Sequence, residues 1–287
     1  MSPSTPIQTL QDANHPTVKP AKKPVIGVIH LLPLPGSAAW SGDVDEVIHR
    51  AEQEAAALAS GGVSALLFEN FYDQPYTQPR LDPAGAVLMA LAAERVKQLT
   101  QLPLGISVLN NDPKSSLAIA MNVQAAFIRI PVLVGTRITE AGMVGGCLQE
   151  LLQTQHQMKL LTPPMWLLDV SINNVVPAPQ REAPWRDPLG YLRHLIQTML
   201  KHPMEKTLLL SEQELAPGDI EQLKQEFPVP MWVGTALNRD NAQAYYQAAD
   251  GILLGAGIKK DPIEGLDPRT TVDLNKIESV MRTLTSK

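Results

Sequence analysis

The stretch Val25-Ile-Gly-Val-Ile-His-Leu-Leu-Pro-Leu-Pro-Gly36 opens with a nearly unbroken apolar run and turns at two prolines and a glycine. A strand that is apolar throughout, rather than at every second position, is covered on both faces, as in a parallel sheet flanked by helices. Downstream, Asp43 with Glu46 three positions on reads as a capping box. Val44, Val47, Ile48, Ala51, Ala55 and Leu58 then fall on one helical face, and Gly61-Gly62 stops the helix. The unit is strand, loop, helix.

That unit recurs along the chain. Strand-like runs follow at Val63 to Phe68, Leu104 to Leu109, Ala126 to Ile130, Trp166 to Val170, Thr207 to Leu210, Met231 to Gly234 and Gly251 to Gly255. Between them lie segments of helical length, one opened by Asp187-Pro188 and carrying Leu189, Leu192, Ile196 and Met199 on one face. Eight βα units in this length predict a single α/β domain, a closed (β/α)8 TIM barrel over residues 25–287. Residues 1–24, polar and rich in proline, read as a flexible N-terminal tail. Long segments at 31–42, 70–83, 131–140, 171–186 and 256–271 fall on the C-terminal face, where this fold builds its sites.

Composition narrows the function classes. The chain of 287 residues has net charge −5, which argues against a nucleic-acid partner. A single cysteine, Cys147, excludes an internal disulfide and suits a reducing compartment. It falls in the predicted fourth helix, as a buried structural thiol. No apolar stretch approaches the roughly 18 residues of a membrane span.

Several residues could carry chemistry. His30 closes the first strand at the barrel top, as an acid or base or as a histidine paired to a carboxylate. Glu69 and Asn70 end the second run, and Asp112 and Asp169 end or follow the third and fifth, so they should converge on one face. Arg129 at the end of the fourth run offers either an ion-pair network with these carboxylates or a fork for an anionic ligand. No metal site is expected. Gly234-Thr235-Ala236 and Gly255-Ala256-Gly257 follow the last two runs, where barrels of this kind hold phosphate on backbone N–H groups. Lys259-Lys260 would add charge there. The alternative is two ordinary tight loops with solvated lysines. Trp166 and Trp232 read as core, whereas Trp40, Tyr72, Tyr76 and Trp185 lie in top loops as a partner surface or a cover for the mouth.

Ile26 to Gly36, Phe68-Glu-Asn-Phe71 with Asp73, Leu102-Pro-Leu-Gly105, Asn111-Asp112 and Ala249-Asp-Gly251 together resemble the BtpA family, from about residue 24 to residue 282. The resemblance implies a TIM barrel of the phosphate-binding type. It also implies a factor for biogenesis or stability of photosystem I, cytoplasmic and peripheral at the cytoplasmic face of the thylakoid. Photosystem I subunits or assembly factors would be its partners, with homo-oligomers left open. No cofactor is expected beyond a small phosphate-containing ligand. The chain departs from the enzyme-like pattern of the family at Asn110, Pro131, Asn173-Asn174, Ser211 to Glu214, and Gly234 to Ala236. Asparagines at 173 and 174 can hydrogen-bond but cannot titrate, so whether the chain retains catalysis is open. A lyase, isomerase or hydrolase acting on a phosphorylated sugar or nucleoside is the alternative function.

Overall fold

A computed structural model describes residues 21–76, 80–139, 142–160, 162–175, 187–202, 204–260 and 267–285. In chain order the strands are β1 (Val25–His30), β2 (Ala65–Glu69), β3 (Leu104–Ser107), β4 (Phe127–Ile130), β5 (Thr136–Thr139), β6 (Gly142–Gly145), β7 (Met165–Val170), β8 (Asn174–Val175), β9 (Lys206–Leu210), β10 (Met231–Val233) and β11 (Gly251–Leu254). Eight of them, all but β5, β6 and β8, close into a parallel barrel in the order β1-β11-β10-β9-β7-β4-β3-β2. The helices are α1 (Val44–Ser60), α2 (Pro83–Thr100), α3 (Pro113–Val123), α4 (Leu148–Met158), α5 (Pro188–Leu200), α6 (Pro217–Glu226), α7 (Ala242–Ala248) and α8 (Leu274–Thr285). The expected (β/α)8 barrel is therefore the fold.

Period-two alternation sorts each strand into an outer and an inner face. Ile26 and Val28 of β1, Ala65 and Leu67 of β2, Phe127 of β4, Met165 and Leu167 of β7, Trp232 of β10 and Leu253 of β11 form one buried cluster, the barrel interior. Val25, Ile29, Leu66, Phe68 and their counterparts join the larger cluster that the helices cover. The same alternation, carried one step up, turns His30, Glu69, Arg129 and Asp169 inward above the apolar layers. Gly105 of β3 must be glycine: a Cβ there would stand 2.2 Å from the Phe127 ring that fills the interior.

Local signals set the helix ends. Asp43 Oδ1 accepts the Glu46 N–H at 2.9 Å, while the Asp43 N–H goes to Ser41 Oγ, so only half of the expected capping box forms. Asp187 caps α5 through the Gly190 N–H, with Pro188 in the first turn. Gly62, at φ +90°, carries the chain out of α1.

Three expectations need correction. Residues 21–24, read as tail, are held on the barrel: Lys23 Nζ donates to the carbonyls of Tyr246, Gln247 and Ala249 at 2.7–3.0 Å, neutralising the C-terminal end of α7. Residues 1–20 lie outside the described set. The segment read as a loop at 131–140 contains β5, which pairs antiparallel with β6 and with β8 to form a small sheet. Cys147 precedes α4 rather than lying within it, because Gly145-Gly146 keep the chain extended up to that point; Gly146 sits against the Leu133 carbonyl and Val134 Cα with no room for a side chain.

Candidate functional site

A cavity of about 560 Å3 opens at the C-terminal mouth of the barrel. His30, Glu69, Arg129 and Asp169 form its floor, Phe71, Gln74, Pro75 and Tyr76 one wall, and Arg137, Thr139 and Val144 of the β5–β6 hairpin another. Arg129 donates Nε to Asp169 Oδ1 at 2.8 Å and Nη2 to Oδ2 at 2.9 Å, and its Nη1 contacts Glu69 Oε1. Burial alone would lower the Arg129 pKa, but the charges of Asp169 and Glu69 outweigh it and raise it, so the guanidinium stays charged. The ion-pair reading of these residues is what the geometry adopts. The pairing also spends the arginine's charge inside the protein.

His30 is 5% exposed and stacks on Phe71, with ring centroids 4.2 Å apart at 16°. Burial first, then the charges of Lys259 and Arg129, hold its pKa well below the usual value, so the ring is neutral at pH 7. Nε2 lies 3.7 Å from Glu69 Oε2, beyond hydrogen-bond reach, and Nδ1 is buried with no partner. A neutral imidazole with an unengaged nitrogen can accept a proton or a hydrogen bond from a ligand.

Other candidates brace the rim. Asn70 donates to Asp73 Oδ2 and to Asn110 Oδ1, and accepts the Leu109 N–H, so its amide ties the loops after β2 and β3 together. Asp73 in turn accepts the Leu34 N–H at 2.7 Å, fixing the proline turn after β1. Its pKa is pushed up to about 6 by burial, against the pull of the Leu34 and Asn70 hydrogen bonds. Asn111, at φ +58°, reaches the wall of the cavity but spends its amide on the carbonyls of Val132 and Gly145 and on the Val132 N–H. Asp112 does not join the other carboxylates: it caps α3 through the N–H groups of Lys114 and Ser115 and also accepts from Arg80 and Leu81.

The loops after β10 and β11 meet, as expected of an anion site, but their donors are partly engaged. The Gly255 N–H donates to the Thr235 carbonyl at 2.9 Å. The Ala236 N–H donates to Glu212 Oε1 at 2.8 Å, and the other oxygen of that carboxylate is buried without a partner. Thr235, Ala236 and Ala256 line the cavity. Gly234 and Gly257 are small for packing: a Cβ would stand 2.6 Å from Leu253 Cβ at the first and 2.1 Å from the Leu237 carbonyl at the second. Lys259 does not lend charge here; its Nζ is buried on Glu54 Oε1 at 3.1 Å, and burial lowers its pKa. Asn173 faces Glu214, which also takes the Ser171 hydroxyl and the Ile172 N–H. Asn174 begins β8, and its side chain lies outside the described set, as does Trp185. Of the aromatics read as a partner surface or a cover for the mouth, Tyr72 is buried beside His30 and Tyr76 lines the mouth.

Three participants escaped the sequence reading. Ser107 sits in register between Glu69 and Arg129, fully buried, with an unpartnered hydroxyl. Arg137 reaches the cavity from a hairpin that was not foreseen. Glu212 was noted only as a charge in the loop after β9. Parity in Gly105-Ile-Ser107 points to Ser107; nothing local points to the other two.

A profile of the BtpA family matches residues 21–286. The chain belongs to the BtpA family. Photosystem I biogenesis protein BtpA of Synechocystis sp. is 37% identical to this BtpA-family chain over 254 residues, 85% of this chain and 84% of the relative. An uncharacterized protein of Pyrococcus abyssi is 32% identical over 241 residues, 83% and 88% of the two chains. Among solved structures, 7,8-dihydropteroate synthase of Vibrio fischeri superposes with a TM-score of 0.52 at 13% identity, over 94% of this chain and 96% of that one. Phosphoribosylanthranilate isomerase of Thermotoga maritima gives 0.51 at 12%, over 92% and 100%. These two share the barrel with the BtpA-family chain, and at such identity the likeness concerns fold alone.

Proposed function

We propose that this BtpA-family chain is a factor for biogenesis or stability of photosystem I that acts by binding through the C-terminal mouth of its barrel. One observation carries the reading: the charged groups on the cavity floor are already matched to one another, Arg129 to Glu69 and Asp169, which suits recognition better than turnover. The 37% identity to the Synechocystis protein supports the photosynthetic role. Its partners would be photosystem I subunits or assembly factors, met at the cytoplasmic face of the thylakoid. No helix among the described residues is long and apolar enough to cross a membrane, in keeping with attachment through partners. The test fills the mouth. Replacing the chain in its source cell by Thr139→Trp, which places an indole on the cavity wall, should lower photosystem I accumulation while the barrel stays folded. Normal accumulation in a strain lacking the chain altogether would overturn the proposal.

A second reading, a lyase, isomerase or hydrolase acting on a phosphorylated sugar or nucleoside, draws on His30, whose neutral ring stands beside Glu69 with Nδ1 unengaged. Turnover of such compounds by the purified chain, abolished in His30→Ala, would favour it.

A further inference from the structure

A barrel of this architecture seats a phosphate on the backbone donors of its last two loops. In this chain one of those donors, the Ala236 N–H, is already taken by a carboxylate of its own. Glu212 leaves the end of β9 and accepts the Ala236 N–H at 2.8 Å. Tyr245 fixes that turn from below, its hydroxyl bridging the carbonyls of Glu212 and Leu215 at 3.0 and 2.9 Å. Across the cleft, the Gly255 N–H is closed onto the Thr235 carbonyl. Ala236 itself bridges to Leu254, so the two loops are zipped together.

We propose that Glu212 is a specificity-determining residue: by taking the Ala236 N–H it withdraws a donor of the anion seat and sets a negative charge behind the cavity-lining Ala236, so the mouth cavity rejects phosphorylated compounds and takes an uncharged, hydroxyl-rich ligand. The inference rests on the reading of this cavity as the binding site. An entering phosphate would have to displace the carboxylate from Ala236 or lie against it, and like charges at such separation repel strongly where water is scarce. Among the described residues, Lys259 is held by Glu54 and Arg129 by Glu69 and Asp169, and the cavity's other cation, Arg137, stands on the β5–β6 hairpin rather than on the β10 or β11 loop. The groups that remain on the cavity suit hydroxyls. Carboxylate oxygens of Glu69 and Asp169 keep lone pairs beyond those given to Arg129, and Thr139, Gln213 and Thr235 supply neutral polar atoms.

Calorimetric titration of the full chain with inorganic phosphate, against chloride at matched ionic strength, tests the seat directly. Wild type should show no saturable binding at millimolar phosphate. Glu212→Ala, which frees the Ala236 N–H, should gain it. Glu212→Gln keeps the shape and an acceptor for Ala236 while removing the charge, and should bind phosphate about tenfold or more tightly than wild type. With ribose and ribose 5-phosphate as probes, wild type should favour the free sugar and Glu212→Gln should shift the preference toward the ester. Saturable binding of phosphate or ribose 5-phosphate by wild type would overturn the proposal, and so would folded Gln and Ala variants that remain as indifferent to phosphate as wild type. Photosystem I accumulation is a separate readout: failure of the assembly role leaves these titrations standing, and failure of the titrations leaves the assembly role standing.

Discussion

Arg129 and Asp169 face each other across the β4–β7 pair through two near-parallel hydrogen bonds, at 2.8 and 2.9 Å, at the top of the barrel interior. Neutralising Asp169 removes the bidentate counter-charge and leaves Arg129 only its contact with Glu69. Asp169→Asn, which keeps one acceptor oxygen and leaves Glu69 in place, should therefore destabilise the barrel by about 3 kcal/mol, the low end for breaking a buried pair. Glu69→Gln, which leaves the bidentate pair intact, should cost distinctly less. Urea unfolding of the two variants checks the ranking, and equal losses would show that Arg129 leans on Glu69 as much as on Asp169.

Asp73 gives stability a pH dependence whose sign follows from its raised pKa. The folded value, about 6, lies above the ordinary 3.8, so the fold favours the protonated acid. This contribution is complete below pH 3.8 and is lost as pH rises through about 6, a difference on the order of 2–3 kcal/mol. Asp73→Asn should lack that loss. Relative to wild type, the variant should gain stability between pH 4 and pH 7, read from denaturation midpoints at both values.

Gly105 and Phe127 compete for one volume. Gly105→Ala forces a methyl onto a ring at 2.2 Å and should lower stability by about 1–3 kcal/mol or more. Adding Phe127→Leu should restore part of that loss, giving a coupling in a double-mutant cycle that thermal unfolding can measure.

Cys147 should be chemically quiet. Burial pushes its thiol up to about 12, leaving little thiolate at neutral pH. Reaction with a thiol-specific chromogenic disulfide should be slow in the native chain and fast in denaturant; fast native labelling would mean that the loop before α4 opens readily.

The barrel and its polar top layer were legible because both rest on short periods. Uniform apolar runs mark strands covered on two faces, and parity from Ile26 and Val28 carries His30 to the inner side. Glu69, Arg129 and Asp169 follow by the same count. What stayed hidden depends on partners distant in sequence. Asp112 looked like a third carboxylate for the mouth, yet a residue two before Lys114 and one before Pro113 is equally a helix cap, and that local role wins. Glu212 becomes meaningful only when the chain brings Ala236 beside it, 24 residues on. The β5–β6 hairpin escaped because glycines at 142 and 145 carry no strand propensity, and its register is set by cross-strand bonds rather than by composition.

Lys23 sits at the entrance to β1, clasping the end of α7 on the side of the barrel away from the cavity. The polypeptide leading into the barrel is thereby moored to the floor of the molecule, opposite the mouth. A surface, bead or fluorescent protein coupled next to Lys23 would join the barrel on the face opposite its cavity, leaving the mouth open to whatever is offered in solution.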